Sequence, residues 1–263
     1  MIGITHTPSK VAKLESMGIE PLIADLRDSS TLEKKLKGVD GFYIVTDPFS
    51  ASTDKEEWDS PSWAKDEIQQ GESALRAAHA AGVPHVVLAS VSILGLEKGF
   101  GIHKSKLSIE NEAKRLGINF TSLRPPFFME GWIWGARYKA PFEYMKTGRI
   151  DSWPIKADTL IPNIATDDIG KIVAWSFANP DKSIGQTWEI VGQMLTLPEI
   201  AQAFSKRSGR SFVFIEPQEE SEIPFFVAVN HQEYDFDPIF WTEKFGFEMT
   251  TFEGFLASAD LVL

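Results

Sequence analysis

Through the first half of the chain, short runs of β-branched and aromatic residues alternate with longer runs whose apolar residues recur three or four positions apart. That alternation predicts a parallel sheet covered by helices. Ile2–Thr5 reads as a short strand, and Pro8–Met17 as a helix with Val11 and Leu14 three apart and Gly18 as its stop. Ile19–Ala24 predicts a second strand closed by Asp25-Leu26-Arg27-Asp28. Ser30 and Glu33 have capping-box spacing for a helix carrying Leu32 and Leu36, ended by Gly38. The unbroken apolar run Gly41–Thr46 predicts a strand buried on both faces. A long helix is expected over Ala64–Ala81, then a strand at Val86–Ala89, a helix at Lys104–Leu116 and a strand at Phe120–Leu123.

After Pro126 the texture changes. Phe127, Phe128, Trp132, Trp134, Tyr138, Phe142 and Tyr144 crowd one segment, and apolar runs shorten. A smaller lobe interleaved with the end of the sheet is expected, dividing the chain into 1–126 and 127–263. Helices are predicted at Asp168–Ala178, at Leu197–Ser208 with Thr196 as cap and Pro198 in the first turn, and from Phe252 onward. Strands are predicted at Thr187–Val191 and Phe212–Ile215. No internal repeat interrupts this order.

A chain of 263 residues suffices for one large core or a core plus a small lobe. Its net charge of -11 repels phosphate backbones and anionic lipid, which argues against nucleic acid or a membrane surface as direct partner. The absence of cysteine removes disulfides, thiolate nucleophiles and cysteine metal sites, and fits a reducing, cytoplasmic compartment. Met1–His6 shows no signal-peptide pattern, and no stretch reaches the roughly 18 apolar residues of a membrane helix. The five histidines form no H-E-x-x-H pattern, so no metal is expected. No G-x-S-x-G elbow or Walker A spacing occurs. Gly99-Phe100-Gly101 lacks the later glycine of G-x-G-x-x-G and reads as a loop.

Several segments together carry a resemblance. Met1–Leu14, the acidic "ADLRD" ending at Asp28, GFYIVTDPFS from Gly41, QGESALRAAHAAGVPHVVLASVS from Gln70, HKSKLSIENEAKRLGINFTSLRPPFFME from His103 and IPNIATDDIGKIVAWSFANP from Ile161 occur in order. This set resembles the NmrA-like branch of atypical short-chain dehydrogenases. The resemblance implies a doubly wound, Rossmann-like α/β fold that holds NADP or NAD at the carboxyl edge of its strands. Met1–Leu14 matches that fold's second strand and helix, so its usual first strand and glycine-rich turn are missing from the match. Without the central strand, its two neighbours are expected to pair directly, to have their groove filled by another chain, or to leave an unstable product. A start other than the natural one is a further reading.

The resemblance also assigns residues. Lys106 falls at the active-site lysine, where an ammonium holds the nicotinamide ribose. The usual catalytic tyrosine, four residues earlier, is Ile102, which donates no proton; His103 or water is the substitute donor, and for His103 the competing reading is a surface residue at a helix start. His6 takes the place of an arginine that binds the 2′-phosphate of NADP, with Lys10 beside it. Asp25 and Leu26 match adenine contacts; Thr46, Pro48, Phe49 and Ser90 line the cofactor's middle; Pro125 and Phe127 form the wall beside the nicotinamide. Phe128, Trp132 and Trp134 are assigned to a substrate pocket, although aromatics at this density equally serve a core. Asp167-Asp168 reads as a helix start, with Asp168 as the cap before Ile169. The implied functions are an NAD(P)H-dependent oxidoreductase of a small carbonyl or quinone-like compound, a non-catalytic dinucleotide sensor bound to a regulatory protein partner, or a degenerate remnant.

Overall fold

The structure is a computed structural model that describes residues 1–47, 61–94, 101–135, 140–151, 153–219, 221–232 and 234–261. The first elements are β1 (Ile2–Thr5), α1 (Val11–Ser16, preceded by a 3₁₀ turn at Pro8–Lys10), β2 (Glu20–Ile23), α2 (Ser29–Leu36) and β3 (Phe42–Ile44). They are followed by α3 (Pro61–Ala81), β4 (Val86–Ala89), α4 (Gly101–Arg115), β5 (Phe120–Leu123) and β6 (Phe127–Phe128). The order strand Thr187–Trp188, β5, β4, β3 makes a four-stranded sheet in which every neighbouring pair is parallel.

β1 and β2 form a separate parallel pair, in register Ile2↔Glu20 to Thr5↔Ile23. Among the described residues no ladder joins this pair to β3. Of the outcomes expected for a sheet without its central strand, direct pairing of the two neighbours is therefore not the one adopted. The two ladders still share one core: Ile4 and Leu22 pack with Leu32, Phe42, Ile44, Leu75 and Leu88. Ile2, Ile23 and Val45 stay 47%, 54% and 54% exposed, so β3 is covered on both faces only over part of the Gly41–Thr46 run.

Alternation along β4 explains the two helical layers. Val86 and Leu88 face α2, α3 and α4, whereas Val87 packs with Leu123, Ile172, Trp241 and Phe245 on the other side. Those last three come from the helices Thr166–Ala178 and Pro238–Phe245. A third cluster, around Met129, Trp132, Tyr144, Ile155, Phe204 and Phe252, lies in the second half of the chain. There β6 pairs in parallel with strand Ile161–Ile164, which pairs antiparallel with Gln193–Leu195.

Helix starts follow the available caps. Thr196 and Glu199 form the reciprocal box at Leu197–Ser208, with Pro198 in the first turn. α2 departs from the expected Ser30–Glu33 box: Asp28 stands one residue before the helix and its carboxylate accepts from Thr31 N at 3.0 Å. Those hydrogen bonds hold its carboxyl down at about 2. Asp168 is likewise no cap, because the helix begins at Thr166 after Ala165. Its fully buried carboxylate instead accepts from Thr250 N at 2.6 Å and Thr250 Oγ1 at 3.0 Å, fixing the C-terminal segment.

Candidate functional site

Parallel strands converge on one edge, and their carboxyl ends set the chemistry. Thr46 follows β3, Ala89 ends β4, and α4 turns Ser105, Lys106, Ile109 and Glu110 inward on one face, as i, i+4 spacing requires. Opposite them α3 presents Glu67, fully buried. α3 and α4 can approach closely because Gly71 has no Cβ; one built there would stand 2.5 Å from Ile109 Cδ1.

Lys106 sits at the centre, with its side chain 9% exposed. Its Nζ lies 2.9 Å from Glu67 Oε1, donates to Thr46 Oγ1 at 2.7 Å and donates to the Ala89 carbonyl at 3.0 Å. The Thr46 hydroxyl in turn donates to Glu67 Oε1 at 2.8 Å, and Ser105 Oγ donates to Glu67 Oε2. One turn on, Glu110 accepts from Ser90 Oγ and Ser122 Oγ, each at 2.6 Å, and from Arg124 Nη2 at 2.6 Å. Burial pushes the Glu110 carboxyl up, but Arg124, Ser122 and Ser90 together hold it below its ordinary value. Arg124 also reaches Glu189 at 3.2 Å, whose carboxyl burial pushes up. A cavity of about 10 Å³, room for about one water, is bordered by Thr46, Ser90, Lys106 and Glu110.

A second polar chain runs along the same edge. Asp25 accepts from Arg27 Nη2 at 2.8 Å and Nε at 2.9 Å, and Arg27 Nη1 reaches Asp66 at 3.0 Å. Asp66 accepts from Gln70 Nε2 at 2.7 Å, which also donates to the Asp47 carbonyl at 3.0 Å. The Arg27 side chain, with a smaller contribution from His6, lowers the Asp25 carboxyl. His6 and Lys10 are exposed near the end of β1, and Leu26 packs against the core. Pro48 and Phe49 lie outside the described residues.

His103 is buried, so it is no surface residue at the helix start; its ring stands 6.1 Å from Phe225. Phe225 leads to Phe127 at 5.7 Å, and Phe127 stacks on Trp132 at 5.8 Å. Pro125 is buried, with its carbonyl accepting from Ser92 N at 2.9 Å. Of the three aromatics assigned to a pocket, Phe128 and Trp134 are exposed. Trp132 is 1% exposed and donates to Asn163 Oδ1 at 2.6 Å, which makes it core. The structure thus brings Thr46, Ser90 and Lys106 together, and puts His6 just after β1 and Lys10 in the 3₁₀ turn that follows.

Asp66 and Glu67 escaped the sequence reading because they lie outside the quoted segments, and Arg27 and Glu110 because the resemblance assigns them no role. Glu67 had one visible signal: it shares a helical stripe with Gly71, Ala74 and Ala78, where a charge is out of place. Among the described residues, no group of three or more His, Cys, Asp or Glu side chains is placed to hold a metal, and no helix is long and apolar enough to cross a membrane.

The family model described as "NmrA-like family" matches residues 5–236. An NAD(P)H azoreductase of Xenophilus azovorans is 25% identical over 218 residues, covering 81% of this chain and 67% of that protein. The chain spans about two thirds of the length of the curated relatives it matches. Among solved structures, the NADPH-dependent quinone oxidoreductase QOR2 of Escherichia coli, complexed with NADPH, aligns with a TM-score of 0.76 at 19% identity, covering 97% of this chain and 89% of that one. NmrA, a negative transcriptional regulator in complex with NAD, aligns at 0.71 and 16% identity, covering 97% and 85%.

Proposed function

The chain belongs to the NmrA-like family, and from that premise we propose that it is an NAD(P)H-dependent oxidoreductase of a small carbonyl or quinone-like compound. The observation that carries this reading is the buried Lys106 ammonium at the carboxyl ends of β3 and β4, beside the hydroxyls of Thr46 and Ser90. Such a cluster of donors and acceptors suits the nicotinamide ribose. The diphosphate is less well served. All eight positive-φ glycines among the described residues follow helix C-termini, so none forms a phosphate turn. The fit therefore rests on the nicotinamide half.

In this reading Lys106 holds the ribose, while Pro125 and Phe127 limit water on one side. When bound, the reduced nicotinamide supplies a hydride. His103, buried beside Phe225, supplies the proton that Ile102 cannot. Phe128 and Trp134 face the substrate side, and the second lobe, 127–263, carries that side. Asp25 and Leu26 take the adenine end, and His6 with Lys10 the 2′-phosphate where the cofactor is NADP. The cytoplasmic assignment goes with a reducing compartment and a chain without cysteine.

Ile102 also favours a second reading, a dinucleotide-responsive regulator that binds a protein partner. Thermal shift with NADPH, NADH and their oxidised forms tests both, because a ligand that binds only folded protein raises Tm. A shift with turnover on a carbonyl and quinone panel supports the oxidoreductase. A shift without turnover supports the regulator, and no shift at millimolar cofactor defeats both.

A further inference from the structure

A carboxylate with no exposed surface, Glu67, is a costly group to keep on a helix otherwise lined here by Gly71, Ala74 and Ala78. A buried ion pair adds little to stability compared with apolar residues of the same volume, so its presence asks for another role. We propose that Glu67 is the positioning residue for Lys106: it anchors the ammonium at the strand ends and stays bound while Lys106 exchanges another partner for a ligand hydroxyl. This inference rests on the reading of Lys106 as the ribose-holding lysine.

Among the described residues three oxygens stand around Nζ: Thr46 Oγ1 at 2.7 Å and the Ala89 carbonyl at 3.0 Å accept hydrogen bonds from it, and Glu67 Oε1 at 2.9 Å is its ion-pair partner. A ribose hydroxyl that joins competes with these three oxygens for the ammonium. Losing Glu67 would leave a buried carboxylate without its counter-ion, the costliest of the three exchanges. The Ala89 carbonyl and the Thr46 hydroxyl are neutral and cheaper to release. Thr46 also donates to Glu67 Oε1 at 2.8 Å, so it stays oriented after giving up Lys106. Ser105 Oγ, donating to Glu67 Oε2, fixes the other carboxylate oxygen, so the anchor is held from α4 as well as from the end of β3. Glu67 touches no ligand in this scheme and acts through Lys106 alone.

The test is a double-mutant cycle read by NADPH binding, measured by fluorescence titration of the full chain, with Tm recorded for each protein. Glu67→Gln keeps the shape and removes the charge. We expect it to weaken NADPH binding about tenfold, the scale of one lost interaction with a charged group. In a Lys106→Met background the same change should alter binding less than about twofold, since the residue it acts through is gone. Glu67→Asp, which retains the charge, should recover part of the loss. If Glu67→Gln does not fold, Ser105→Ala, which loosens the anchor, should weaken binding in the same Lys106-dependent manner. Binding unchanged in Glu67→Gln or, where that variant does not fold, in Ser105→Ala, or a loss equal in both backgrounds, overturns the inference and leaves the cofactor reading intact. Failure of the unmodified protein to bind NADPH or NADH overturns the cofactor reading and this inference with it.

Discussion

Glu110 and Arg124 meet through two charge-assisted hydrogen bonds, Nη2 to Oε2 at 2.6 Å and Nε to Oε1 at 2.9 Å, and so tie α4 to the end of β5. The Glu110 side chain is 1% exposed and that of Arg124 14%, so removing the Glu110 charge breaks a buried pair and leaves Arg124 with Glu189 alone, at 3.2 Å. Glu110→Gln should lower unfolding stability by about 3 kcal/mol in urea titrations at neutral pH. The lowered carboxyl sets the sign of the pH effect. Its stabilisation is full above the ordinary carboxylate value and is lost as pH falls through the folded value. The difference between the two proteins should therefore shrink in acid. An undiminished difference there would show that lost packing, not charge, is the cause.

His85 predicts a second pH effect. Thr121 Oγ1 gives its proton to the Ser183 carbonyl at 2.7 Å, so at 2.9 Å it must accept from His85 Nε2. That leaves Nδ1 buried without a partner among the described residues, and burial lowers the imidazole below its ordinary value. A depressed histidine contributes stability above its unfolded value and loses it as pH falls through the folded one. Tm should fall between pH 7.5 and pH 5.5, about one unit either side of the ordinary imidazole value. His85→Gln, which can still donate to Thr121, should flatten that slope; an equal slope in both proteins counts against the assignment.

Gly71 in mid-helix looks like a site to stabilise, since alanine improves an exposed helix interior by about 1 kcal/mol. The opposite is expected. A Cβ there would stand 2.5 Å from both Cδ1 and Cγ1 of Ile109 and 2.9 Å from its Cγ2, so no single rotation clears it. Gly71→Ala should destabilise by about 1–3 kcal/mol, an overpacking cost, in urea denaturation. A gain in stability would mean that α3 and α4 separate freely.

Asp168→Ala should free the C-terminal segment, because Thr250 N and Oγ1 both donate to that carboxylate. A loss of about 1–3 kcal/mol is expected for the stranded donors. Amide exchange should quicken first over Thr250–Ser258, ahead of the central sheet. Uniform acceleration across the chain would argue for a global effect instead.

Several elements were legible in the sequence because their signals are local. β4, β5, the Thr196 cap and the helix Leu197–Ser208 follow from apolar periodicity and hydrogen bonding within a few residues. Asp28 displaced Ser30 as a cap because cap choice depends on where the first helical turn closes, which composition alone leaves open. The helix Pro224–His231 was not anticipated; its apolar residues include Phe225, whose ring meets Phe127 and His103 from distant parts of the chain.

By itself the sequence determined the alternation of strands and helices and marked Lys106 as a candidate, both readings of neighbours along the chain. Tertiary structure alone decided that β1–β2 and β3–β4–β5 remain separate ladders, that Trp132 is core, and that Lys106 is held by Glu67, 39 positions away. The physical reason is that backbone pairing and the burial of charge are settled between segments remote in sequence. A charged residue on an apolar helix stripe shows that a partner is needed, and only packing of α3 against α4 supplies it.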